Sequence, residues 1–282
     1  MATNKPLSKI IKRNSPEGRH RDLYHNLLKI SWTRLFLVYV LFFVTINFVF
    51  AGLYAMVPES ITAKAQDFKS AFFFSVQTFS TVGYGTIAPQ NLYGNLIVVL
   101  EIMTGVVSMA VTTGLVFAKF SRASAKILYS KNLLLSTFDG ENVLMFRMAN
   151  ARSNQIISAN VELHHIYNVT TPEGRSMVRF SPLKLQKNYS PIFALSWTVF
   201  HTIDADSPFF GKTIEEIYAA KYEFYIIISG NDGTFSQKIY DTHSYRSEDI
   251  IPNHYFVDIL ERASDGTRII DYKKFHLITA NA

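Results

Sequence analysis

The 282-residue sequence contains no cysteine, so disulfide bonds, thiolate metal ligands and cysteine nucleophiles are excluded. Charged side chains are also nearly missing from one long stretch. Of the 28 basic and 22 acidic residues, only five fall between Leu35 and Ala118: Glu59, Lys64, Asp67, Lys69 and Glu101. A soluble domain needs polar and charged groups over its surface. The chain is therefore predicted to combine a membrane part with a soluble part.

Two apolar runs predict membrane-spanning helices. Residues 35–57 carry no charge and reach about 34 Å as a helix, enough to cross a hydrocarbon core of about 30 Å. Residues 94–118 form a second run with one charge, Glu101. Basic residues stand outside both runs, which predicts cytoplasmic flanks and an external connection. Residues 1–34 hold eight basic and two acidic side chains, so the formal net charge of +6 reflects membrane orientation and not nucleic-acid binding.

The external connection contains a third apolar segment, residues 68–79, which covers about 18 Å as a helix and is too short to span. Irregular backbone in a membrane is tolerated only where it lines a water-filled path. We therefore predict a re-entrant helix followed by an extended return, Thr81-Val82-Gly83-Tyr84-Gly85. Backbone carbonyls that point the same way can replace the hydration shell of K⁺, and Gly83 and Gly85 permit the positive φ this requires. One chain supplies one wall, so four chains must surround the pore.

The segment Thr81–Gly85 resembles the potassium-channel signature, and its flanks are similar to inward-rectifier potassium channels, particularly the bacterial KirBac type. The similar stretches are 71–85, 114–122, 150–164 and 195–208, so the resemblance extends over nearly the whole chain. It implies a homotetramer in the bacterial inner membrane with both termini cytoplasmic, K⁺ as the permeant ion, no enzymatic activity and no cofactor. The domains predicted are a cytoplasmic N-terminus with an amphipathic slide helix (1–34), a transmembrane pore domain (35–120) and a cytoplasmic immunoglobulin-like β-sandwich (121–282).

The C-terminal half contains short strand signals in place of apolar runs. About eight strands over some 150 residues predict a sandwich, and residues 193–199 alternate like one strand with one buried face. Thr213 and Glu216 predict a helix capping box. The pair His164-His165 projects to opposite strand faces and so makes a poor metal clamp. His201 lies in a segment that predicts a structured turn.

The second span carries the predicted gating residues. Met109, Thr113 and Phe117 recur every four residues, so a tilted helix can turn all three toward the pore axis. Four Phe117 rings would form a hydrophobic gate at the cytoplasmic end, where the resemblance also implies a gate; interhelical or lipid packing is the alternative. Gly105 and Gly114 permit either a hinge or close packing.

Differences from eukaryotic relatives bear on conduction. Gln77 stands where many of these relatives carry a pore-helix glutamate, so the usual ion pair near the selectivity filter, here Thr81–Gly85, cannot form. Gln77 is a candidate for support of this filter. Met109 aligns with the cavity aspartate that attracts Mg²⁺ and polyamines, which predicts weak rectification. A charge at a helix centre costs about 2.5–3.5 kcal/mol, so Glu101 should face the protein interior. Support of the filter and direct attraction of ions are both open roles for Glu101.

Four basic residues are predicted at the inner leaflet, where they can attract anionic lipid head groups: Arg34, Lys119, Arg122 and Lys126. Before the first span, apolar and polar residues alternate at helical spacing. This pattern predicts an amphipathic helix that lies on the membrane or packs against the cytoplasmic domain of the same chain. Three other functions stay open at this point. They are a ligand-gated channel with negligible rectification, a non-conducting membrane-anchored scaffold and a transporter with four pore loops, which the single filter sequence disfavours.

Overall fold

The computed structural model describes residues 23–62, 67–121, 125–262, 264 and 266–280. Within these residues the chain forms a helical unit and a β-rich unit, which divide between residues 122 and 123. The predicted domain limits at residues 34 and 120 stay a prediction. The predicted inner-leaflet residue Arg122 lies outside the described residues.

The helical unit contains four helices, α1 (Leu23–Lys29), α2 (Trp32–Met56), α3 (Phe68–Phe79) and α4 (Leu92–Phe120). Among the described residues, only α2 and α4 are long and apolar enough to cross a membrane. Just 17% of the most apolar stretch of each helix is buried. The core helix of a soluble protein would be mostly buried. α3 covers the residues predicted for the re-entrant helix. The three longer helices begin at polar caps that accept a first-turn N–H: Ser31, Asp67 and Asn91.

Aromatic and aliphatic side chains pack α3 against α2 and α4. Tyr54 of α2 and Phe74 of α3 meet edge-on with ring centroids 5.1 Å apart, and Ile97 of α4 joins the same buried cluster. Two backbone hydrogen bonds close the connection around α3. Thr62 N–H donates to the Ala88 oxygen at 2.8 Å, and Gln90 N–H donates to the Ser60 oxygen at 3.0 Å. The segment that returns from α3 is therefore held at both ends.

The β-rich unit contains fourteen strands among the described residues. Eight of them have five or more residues: β2 (Leu133–Phe138), β3 (Glu141–Asn150), β4 (Ile156–Thr170), β5 (Ser176–Leu183), β6 (Tyr189–Phe193), β7 (Ser196–Thr202), β8 (Glu223–Asp232) and β9 (Lys238–Arg246). The other six have three residues each: β1 (Ile127–Tyr129), β10 (Ile250–Pro252), β11 (His254–Phe256), β12 (Leu260–Arg262), β13 (Arg268–Ile270) and β14 (Ile278–Ala280).

Two five-stranded sheets pack face to face in this unit. One has the order β1-β3-β2-β10 with β7 also paired to β3, and the other has the order β5-β4-β8-β9 with β6 paired to β4. Phe146 and Met148 of the first sheet share one buried core with Leu163, Phe224 and Ile226 of the second. A shared core between two largely antiparallel sheets is a β-sandwich. Between β7 and β8 lies the short helix α5 (Ile214–Ala219), which begins with the predicted capping box.

The prediction of a single strand over residues 193–199 is wrong. Phe193 ends β6 and pairs with Ile156 in one sheet, whereas Trp197 lies in β7 and pairs with Met148 in the other. The chain changes sheets at residues 194–195, between β6 and β7. The alternation of apolar residues does not reveal such a crossing, because Phe193 and Trp197 still pack edge-on against each other, with ring centroids 6.0 Å apart.

Candidate functional site

The backbone after α3 alternates in handedness. The φ angle is +60° at Thr81, +52° at Gly83 and +80° at Gly85, while Val82 and Tyr84 between them are not in the positive-φ region. Alternation of this kind turns successive carbonyl groups toward one side of the segment. Glycine adopts a positive φ without steric cost. Thr81 is β-branched and disfavoured there, and the sequence reasoning did not predict its conformation.

Hydrogen bonds to the end of α3 orient this segment. Thr81 N–H donates to the Thr78 oxygen at 3.0 Å, and the Gln77 oxygen accepts from Val82 N–H at 2.9 Å and from Gly83 N–H at 3.2 Å. Gln77, predicted to support the filter, thus contacts Val82 and Gly83 through its backbone oxygen. No hydrogen bond among the described residues is accepted by the carbonyl oxygens of residues 81–85, and all five residues are exposed. Those oxygens are free to bind a ligand.

Glu101 is fully buried at the junction of the three long helices. Tyr54 of α2 donates its hydroxyl hydrogen to Glu101 Oε2 at 2.6 Å. Ser75 of α3 hydrogen bonds through Oγ to Glu101 Oε1 and lies 2.9 Å from Asn47 Oδ1 of α2. The sequence reasoning singled out Glu101 but missed its two partners, Tyr54 and Ser75, and the contact of Ser75 with Asn47. These partners could have been found from the polar residues inside otherwise apolar membrane segments, because buried polar groups need hydrogen-bond partners.

The two candidate hinge glycines of α4 have different surroundings. A Cβ added at Gly105 would lie 2.3 Å from the Phe79 backbone oxygen, at the end of α3. Only a residue without a side chain permits this approach. A Cβ added at Gly114 would have nothing within 4 Å. Close packing is therefore the structural role of Gly105 in the single chain, whereas Gly114 makes no such contact there.

The predicted gating residues lie on one exposed stripe of α4. Met109 is 69% exposed and Phe117 is 72% exposed, and Thr113 between them is also exposed. In the single chain, no other described element covers these three side chains. An apolar stripe of this kind on a membrane helix is available to contact other copies of the chain or lipid.

The predicted basic residues differ in their surroundings. Lys119 Nζ donates hydrogen bonds to the Leu28 and Ile30 backbone oxygens at 3.0 Å and 2.6 Å, and lies 5.3 Å from the ring centre of Trp32. A lysine that binds the last carbonyls of a helix stabilises its C-terminus, a role that the sequence reasoning missed. Arg34 and Lys126 are exposed. Lipid contact stays a prediction for these residues.

The described histidines of the β-rich unit lie in different surroundings. The described residues contain no group of three or more possible metal ligands. His165 is buried in β4, and its neighbour His164 contacts Glu162 at 3.1 Å. His201 is buried with Nδ1 2.7 Å from the Lys184 oxygen and Nε2 2.9 Å from Ser207 Oγ. Burial lowers the pKa of His201 below its ordinary value of 6.5, so the neutral ring donates from Nδ1 and accepts at Nε2.

Comparisons with known proteins identify the family of the chain. The family model described as the inward rectifier potassium channel C-terminal domain matches residues 127–281, which is more than half of the chain. The chain belongs to the inward-rectifier potassium channel family. A second family model, described as an ion channel, matches residues 32–122, which contain α2, α3 and α4. The protein is thus a membrane-spanning potassium channel from a family of channels and not of enzymes.

Relatives at several distances support the assignment to this family. The chain is 38% identical to the inward rectifier potassium channel Kirbac3.1 of Paramagnetospirillum magnetotacticum, over 91% of this chain and 88% of the relative. It is 24% identical to the human G protein-activated inward rectifier potassium channel 1, over 90% of this chain. It is also 24% identical to the guinea pig (Cavia porcellus) ATP-sensitive inward rectifier potassium channel 11, over 92% of this chain and 72% of the relative. The chain spans only about half the length of the G protein-activated relatives, 55% in the human protein.

Proposed function

We propose that four copies of the chain form a K⁺-selective pore in which the backbone carbonyls of Thr81–Gly85 bind dehydrated K⁺. The observation that carries this proposal is the alternating backbone of residues 81–85, whose carbonyl oxygens have no partner among the described residues. One segment forms one wall, so fourfold assembly is needed to surround an ion. K⁺ then passes down its electrochemical gradient without any cofactor.

The same proposal assigns roles to α4. The exposed Phe117 side chains of four subunits meet at the cytoplasmic end of α4 and form a hydrophobic gate that closes by excluding water. Met109 and Thr113, on the same stripe, line the cavity above this gate. Because Met109 is uncharged, the cavity attracts Mg²⁺ and polyamines weakly, and rectification is correspondingly weak. Glu101 and Gln77 support the filter from behind.

The remaining parts of the proposal concern membrane orientation. Residues 1–34 and 121–282 lie in the cytoplasm and residues 35–120 form the pore domain, in a bacterial inner membrane. The excess of basic residues before α2 supports this orientation. Arg34 and Lys126 are exposed cations that can contact anionic lipid head groups. The ammonium group of Lys119 is less available to lipid head groups, because it already has two carbonyl partners at the end of α1.

Potassium flux through purified protein in lipid vesicles tests the proposal. We expect K⁺ uptake that Ba²⁺ blocks and that Na⁺ does not replace. Gly83→Ala should abolish this flux, because alanine is strained at a φ of +52°, although its Cβ would contact nothing within 4 Å. Gly52→Ala is the matched control, since Gly52 lies inside α2 and its added Cβ also has nothing within 4 Å. A protein that is monomeric in lipid, or that passes Na⁺ as freely as K⁺, would contradict the proposal.

A further inference from the structure

We propose that Glu101 is protonated in the assembled channel and that its carboxylic acid, as a hydrogen-bond donor to Ser75, positions the end of α3 from which the filter starts. The protonation itself is inferred from the hydrogen-bond geometry alone. Its effect on ion conduction rests on the proposed function above.

Four side chains form a continuous polar chain inside the apolar helical unit. In order of contact they are Tyr54, Glu101, Ser75 and Asn47, with exposures of 2%, 0%, 0% and 0%. Asn47 Nδ2 completes the chain by donating to the Phe43 backbone oxygen at 2.7 Å. Among the described residues, no lysine, arginine or histidine forms an ion pair with Glu101. An ionised carboxylate would therefore be buried without a counter-charge.

Counting hydrogens decides between the two forms of Glu101. Three contacts join pairs of oxygen atoms: Tyr54 with Glu101, Glu101 with Ser75, and Ser75 with Asn47. Each contact needs one hydrogen. If Glu101 is ionised, only the Tyr54 and Ser75 hydroxyl groups supply hydrogens, because a carboxylate and an amide oxygen only accept. One pair of buried oxygens is then left facing each other without a hydrogen.

A protonated Glu101 supplies the missing hydrogen. Tyr54 then donates to Glu101, Glu101 donates to Ser75, Ser75 donates to Asn47, and Asn47 donates to the Phe43 oxygen. All donors point in one direction, so the bonds polarise one another. Rotating the Asn47 amide does not rescue the ionised form, because it would place Asn47 Oδ1 2.7 Å from the Phe43 backbone oxygen.

The polar chain and Gly105 hold α3 at two points one helical turn apart. Ser75 meets Glu101, and four residues later Phe79 meets Gly105, which itself follows Glu101 by four residues. Residues four apart lie on the same face of a helix, so the two contacts fix one alignment of α3 along α4. Phe79 is two residues before Thr81. A shift of α3 along α4 would therefore displace the filter as well.

Glu101→Gln is the decisive variant. A glutamine amide donates from Nε2 to Ser75 and accepts at Oε1 from Tyr54, as the protonated acid does. We expect it to keep the K⁺ flux and the K⁺ preference over Na⁺ within about twofold of the parent. Glu101→Leu, which keeps the approximate size but has no hydrogen-bonding group, should lower the K⁺ preference by about tenfold, because the buried Tyr54 hydroxyl loses its acceptor. A tenfold loss in Glu101→Gln, with the tetramer intact, would overturn the inference.

Infrared spectroscopy of the channel in lipid tests the protonation without any measurement of conduction. The difference spectrum of parent minus Glu101→Gln should contain the C=O stretching band of a carboxylic acid, and carboxylate bands in its place would overturn the inference. Tyr54→Phe provides a second variant in case Glu101→Gln does not assemble. It removes one hydrogen bond to the acid carbonyl and should move the same band to higher frequency. A parent channel with this band but no K⁺ flux would contradict the proposed function and leave the protonation intact.

Discussion

Gly105→Ala is expected to disturb the filter by a direct steric clash. The new Cβ would lie 2.3 Å from the Phe79 oxygen, 3.2 Å from the Phe79 carbonyl carbon and 3.4 Å from its Cα. The methyl group and the oxygen have to separate by about 0.7 Å to reach even 3.0 Å, the shortest separation that Cβ atoms ordinarily show. The clashing atoms belong to backbone, so no side-chain rotation relieves the contact. Overpacking of this kind costs about 1–3 kcal/mol.

Two measurements follow the consequences of this clash. The heat stability of the assembled channel, read from the loss of the tetramer on a gel, should fall in Gly105→Ala. The preference for K⁺ over Na⁺ in vesicle flux should fall too, because Phe79 lies two residues before Thr81. In the control Gly52→Ala, the new methyl group meets nothing, and the effect on the free energy of unfolding should be about 0.4–1 kcal/mol in the stabilising direction. If Gly105→Ala keeps the parent's heat stability and ion preference, the close contact at Gly105 does not position the filter.

Three further predictions concern the gate, rectification and acid stability. Phe117→Ala should leave the channel open and raise resting K⁺ flux, and unchanged flux would argue against a gate there. Met109→Asp should steepen rectification in current–voltage curves with internal Mg²⁺ or spermine, whereas an equally steep parent would show that the alignment at Met109 is wrong. Burial lowers the pKa of His201 below 6.5, so the unfolded state binds more protons as pH falls through this range. The β-rich unit should therefore lose stability in denaturant titrations below pH 6.5, and His201→Gln should weaken that dependence.

The helical elements of the fold could be predicted closely because the bilayer imposes simple rules. Charge-free runs of sufficient length identify α2 and α4, and a run that is too short to span identifies α3. The β-rich unit was harder. About eight strands are predicted, whereas the described residues form fourteen. The crossing between sheets at residues 194–195 is predicted as one strand, because period-two alternation indicates which side chains are buried and not which sheet buries them.

What the sequence by itself determined is the backbone chemistry of the proposed filter, Thr81–Gly85. Glycines alternate with side-chain-bearing residues at positions 82–85, and backbone sterics alone make positive φ cheap at Gly83 and Gly85. Only the tertiary structure decided which polar side chains meet inside the helical unit. Tyr54 and Glu101 are 47 residues apart, and Lys119 reaches a carbonyl 91 residues away. Hydrogen bonds between side chains depend on positions that packing alone sets, and no local pattern of residue types encodes them.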